Sequence, residues 1–124
     1  MPAQYGPGPL AGEPSGLAPG IELAGHLIAA AYQSQSVLVA LEARLLRAQM
    51  YAEFGNGESN LVASQADYVS ALELAEPEGF IGIFLEQGPT VAEVLTRLAR
   101  QGQLGTVQPR YVQSILGAFA KAQL

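Results

Sequence analysis

The segment from about Ser36 to Phe54 constrains this chain more than any other, because it is apolar on two sides. At about 100° per residue, Val37, Leu41, Leu45, Ala48 and Ala52 fall on one stripe of a helix. Val39, Ala43, Leu46, Met50 and Phe54 fall on a second, roughly opposite stripe. Glu42, Gln49 and Glu53 occupy one seam between the stripes, and Arg44 and Arg47 occupy the other. A helix with two apolar faces must be covered from both sides. It is therefore a middle-layer helix, as in stacked helical hairpins, or it gives one face to a second chain.

The rest of the chain from Gly20 onward also reads as helix, since its apolar period is near 3.6 and not 2. The spacing predicts a first helix over about Ile21–Gln33. Its apolar face holds Ile21, Ala24, Ile28, Ala31 and Tyr32, and its polar face holds Glu22, His26 and Gln33. Gly55 is placed to end the double-faced second helix, and residues 56–60 carry turn chemistry. A third helix is expected over about Leu61–Glu76, stopped by Pro77-Glu78-Gly79. A short fourth follows at about Phe80–Gln87, with Phe80, Ile81, Phe84 and Leu85 on its apolar face. Thr90 with Glu93 three residues later reads as a capping box opening a fifth helix that Gly102 ends. Pro109 suits the first turn of a last helix carrying Val112, Ile115, Leu116 and Phe119. The fold class is thus all-α, with residues 20–124 as one helical domain.

Residues 1–19 hold five of the eight prolines, interleaved with glycines, and read as a flexible tail. The Gly6-Pro7-Gly8-Pro9 stretch is not a phosphate cradle, because it has no lysine and no strand-to-helix context.

The chemistry open to the chain is narrow. It has no cysteine, which excludes disulfide scaffolds, thiolate metal sites and cysteine nucleophiles. Its one histidine, His26, has only Glu22 as an acidic neighbour and lies on a polar face, so it reads as a solvated residue. Glu73, Glu76 and Glu78 straddle a helix end, whereas a hard cation wants oxygens converging from a loop. No catalytic, cofactor-binding or metal-ligating residue is assigned, and no cofactor is expected. No apolar run approaches the roughly 20 residues of a membrane span, and no secretory leader is legible, so a cytoplasmic location is expected.

The stretch Ala71-Leu72-Glu73-Leu74-Ala75-Glu76-Pro77-Glu78-Gly79-Phe80, followed by Phe84, Glu86, Gly88 and Pro89, carries a family resemblance. So does Pro109-Arg110-Tyr111-Val112 with Ile115-Leu116-Gly117-Ala118-Phe119. Together they resemble the end of the helical sensor region in the large MalT-type transcriptional regulators of the LuxR class. There a last tetratricopeptide-like repeat ends in a similar turn and a helical cap follows. The likeness runs over residues 36–120 and is most specific over 71–119. Gly82 stands where that family often has arginine, and the loop after Gly55 is longer than a standard repeat turn. No phosphate-loop motif occurs and only five residues follow Phe119, so the ATPase and DNA-binding parts of such regulators are not expected here. The resemblance implies a short right-handed stack of antiparallel helical hairpins with a C-terminal helical cap. It implies a non-catalytic role, protein interaction or effector sensing, with room for a small-molecule effector.

Repeat physics adds that a lone repeat leaves apolar area open at its N-terminal side. Val39, Leu46, Met50 and Phe54 are the candidate protein interface. Burying four such side chains is worth on the order of 6–10 kcal/mol before association costs. Self-association there would make the chain a freestanding homodimeric adaptor. A third reading is DNA binding by the basic end. Residues 1–88 carry ten acids against Arg44 and Arg47, while residues 89–124 carry Arg97, Arg100, Arg110 and Lys121 against Glu93. The overall charge of −5 and an eight-residue connection from Gln101 to Gln108 both weigh against a helix-turn-helix.

Overall fold

The computed structural model describes residues 17–54 and 57–122, apart from the side chains of residues 17, 18 and 54. Among these residues six α-helices follow one another: α1 (Leu17–Gln33), α2 (Val37–Phe54), α3 (Glu58–Ala75), α4 (Gly82–Leu85), α5 (Pro89–Arg100) and α6 (Pro109–Ala122). A 3-10 turn, Glu76–Glu78, joins α3 to the α4 region. No strand occurs among the described residues, so the all-α class stands.

Helix α2 packs against α1 on one side and α3 on the other. Leu41, Leu45 and Ala48 join Tyr68, Ala71, Leu72 and Ala75 of α3 in the main core. That core continues through Phe84, the apolar faces of α5 and α6, and Leu104 and Val107 from the loop between them. The α1 side of α2 is different in kind. Ala24, Ile28 and Ala31 are buried there, as are Ala40 and Ala43, yet none of these belongs to the main core cluster. A thin, alanine-rich layer therefore holds α1.

Chain reversals follow one recipe. At Gly79 the backbone turns left-handed (φ 71°), Phe80 N–H donates to the Ala75 carbonyl and Gly79 N–H to that of Glu76. This is a Schellman termination, and it accounts for the glycine-aromatic end of the LAEPEGF stretch. Gly102 (φ 66°) ends α5 in the same way, with Gln103 N–H on the Leu98 carbonyl. The α1–α2 turn uses the same pair of bonds, but Gln35 occupies the left-handed position (φ 59°).

Several expected boundaries move. Helix α1 is described from Leu17 and includes Pro19, ahead of the expected start at Ile21. Residues 1–16 of the expected tail, the Gly55 stop and Asn56 lie outside the described residues. Glu58, Ser59 and Asn60 form the first turn of α3 and not a loop. The fourth helix is only Gly82–Leu85, with Phe80 and Ile81 ahead of it. The Thr90 capping box is absent: Gly88 (φ 99°) is the N-cap and Pro89 opens α5, so Thr90 already lies inside the helix. Proline's fixed φ, well placed at a first helical position, sets that start.

Candidate protein-interaction surface

The α1–α2 hairpin has two rims, and contacts between the helices tell them apart. Arg47 Nη1 lies 3.4 Å from the position a Cβ on Gly25 would take. Arg44 Nη2 donates to the Tyr32 hydroxyl at 3.3 Å, and its guanidinium stands 5.8 Å from the Tyr32 ring centroid. Both arginines then reach across to α3. Arg44 Nη1 donates to Asp67 Oδ1 at 3.0 Å, while Arg47 Nε and Nη2 grip Asp67 Oδ2 and Oδ1 at 2.7 and 2.8 Å. The Asp67 side chain is 3 % exposed, so this carboxylate is held by two partly buried cations. The bond to Asp67, more than any other influence, raises the Arg47 pKa. One rim of the hairpin is thus roofed by α3 through a three-helix polar clasp. Arg44 Nε is buried in it without a hydrogen-bond partner.

Among the described residues, the opposite rim has no such roof. A Cβ on Gly20 would meet the Met50 methyl at 2.9 Å, so these two residues mark where the helices touch on that side. Leu23, Leu27 and Ala30 fall within about 80° of Gly20 around α1. Val39, Ala43, Leu46 and Met50 fall within about 60° of one another around α2. Leu23 is 60 % exposed, Leu27 42 %, Val39 44 % and Leu46 44 %. Ala43 is buried and Met50 half-buried. The second stripe of α2 is therefore divided. Its Ala43–Met50 side meets α1, and its Val39–Leu46 side faces outward. The side chain of Phe54 lies outside the described residues.

Leu23 and Leu27 are members of this face that the sequence reading passed over. Their spacing with Ala30, at i, i+4 and i+7, was the available signal. The Asp67 clasp also escaped it, although Arg44 and Arg47 stand alone as basic residues before residue 89.

Elsewhere, a cleft of about 440 Å³ opens between α3 and the α5–α6 loop, lined by Val62, Ala66, Val69 and Leu98 among others. That loop is pinned to α3: Thr106 Oγ1 donates to Glu73 Oε2 at 3.0 Å and Gln108 N–H to Glu76 Oε2 at 3.3 Å. With Leu104 and Val107 buried, it is a packed connection and not the short turn of a helix-turn-helix. His26 is exposed, and no group of three or more acidic or histidine residues converges among the described residues. No described helix is long and apolar enough to cross a membrane. No family model, curated protein or solved structure matches the chain.

Proposed function

We propose that the chain is a non-catalytic, tetratricopeptide-like helical module for protein interaction or effector sensing. In this reading it is related to the sensor region of MalT-type LuxR-class regulators and works in the cytoplasm. The observation that supports it is the double-covered α2 beside an unroofed apolar rim. The inner end of the stack is closed by α4, α5 and α6, while the α1–α2 end shows leucines to solvent. An end of that kind suits a neighbouring repeat, a regulator or another protein, and offers little to a reacting substrate.

Thermal unfolding of the purified chain with a panel of small effectors and candidate regulators tests this. A true ligand at 100 times its Kd adds about 2.7 kcal/mol of stability. A chain that no ligand or protein stabilises, and that turns over a substrate, would sink the proposal.

A further inference from the structure

We propose that the unroofed α1–α2 face is the interface of a two-fold dimer, its occupant a second copy of this chain. The inference rests on reading that face as an interaction surface and names the partner. Three observations carry it. First, α1 is apolar on two sides: it buries Ala24, Ile28 and Ala31 and leaves Leu23 and Leu27 60 % and 42 % exposed. A helix that buries an isoleucine and two alanines and still shows two leucines has a second apolar side to be covered.

Second, charge favours self-contact here. The chain carries −5 overall, yet no charged residue falls in the arc from Gly20 to Ala30 or in that from Val39 to Met50 on this face. Two acidic copies can therefore approach without setting like charges together. The edges are also complementary. His26 borders the face on the α1 side, and Glu42 and Glu53 border it on the α2 side. Laying α1 of one copy along α2 of the other brings the His26 edge of one to the Glu42 and Glu53 edge of the other. Laying α2 on α2 would set Glu42 and Glu53 against their own kind. A closed two-fold with α1 on α2 is the arrangement that satisfies both edges at once.

Third, the area is that of a small, reversible contact. Helices of 17 and 18 residues side by side make a face about 25 Å long and about 20 Å across. That is about 500 Å² in plan, close to the roughly 600 Å² per partner at the low end of specific interfaces, which fits a weak dimer.

Sedimentation equilibrium of the full chain over a wide concentration range is the test. The expected result is a reversible dimer with a dissociation constant in the micromolar range. Leu27→Glu and Leu46→Glu should each weaken it about a hundredfold or more. Both side chains are solvent-exposed in the single chain, so the circular dichroism of these variants should match the parent. Val62→Glu, a still more exposed position on α3 outside the face, should leave the dimer intact. A chain monomeric at every concentration overturns the inference, as does a dimer indifferent to Leu27→Glu and Leu46→Glu. A monomer that still gains stability from an effector or regulator separates this failure from that of the proposed function.

Discussion

Asp67 accepts hydrogen bonds from two guanidiniums while almost wholly buried, so removing it strands two cations and not one bond. Asp67→Ala should cost about 3 kcal/mol, read from the urea midpoint. Tyr111 presents the opposite case, a neutral group kept neutral. Its hydroxyl donates to the Phe80 carbonyl and ties α6 to the segment after α3. Burial, and then the charge of Glu76, push its phenol from 10.0 up to about 12. Burial likewise raises Tyr68. In the unfolded chain these phenols ionise near their ordinary value, so above it the unfolded state holds fewer protons than the native one. Stability is therefore intact below about pH 10 and falls as pH climbs toward about 12. Tyr111→Phe should cost about 1 kcal/mol at neutral pH and shrink the alkaline loss, with the remainder due to Tyr68. Urea titrations of both proteins at about pH 8 and about pH 11 compare the two slopes. Neither Asp67 nor Tyr111 could be assigned its partner from the sequence, because each partner lies more than 19 residues away on another element.

Helix ends were the most and the least legible elements. Gly79 and Gly102 were read as stops and both stand in left-handed turns, because only a residue without a Cβ adopts that backbone freely. Gln35 fills the same role with a side chain attached. Gln35→Gly should therefore stabilise the chain by about 1 kcal/mol, and Gly79→Ala should destabilise it by about the same amount. Gly117 supplies the control: it sits inside α6 at an ordinary φ with open space around its Cα. Gly117→Ala should raise stability by about 0.5–1 kcal/mol. Thermal melts of the three variants order them. The capping box at Thr90 was misread because two valid start signals overlap, and Pro89, one residue earlier, wins.

Across the whole molecule, adhesion is uneven. The main core ties α2 to α6 together, whereas α1 rests on alanines and one isoleucine, helped by the clasp at Tyr32. Burial of small side chains releases little apolar area, so α1 should be the first helix to open. Hydrogen exchange of the dilute chain should show α1 amides exchanging well before those of α2, α3, α5 and α6. Raising the concentration should slow α1 selectively if a second copy covers it. Uniform protection across all six helices would contradict this account.

Periodicity, with glycine and proline as punctuation, determined that the chain is all-α, that the Ser36–Phe54 segment has two apolar sides, and that helices stop near Gly79 and Gly102. Each of those properties is local: it depends on angles of about 100° between neighbours and on backbone that glycine or proline permits. Only the tertiary structure decided which part of the second stripe is covered. Helix α1 meets α2 on its Ala43–Met50 side, and Asp67 draws both arginines, leaving Val39 and Leu46 outside with Leu23 and Leu27. That choice depends on how three helices sit side by side, and no single helix's pattern encodes the angle at which its neighbour arrives.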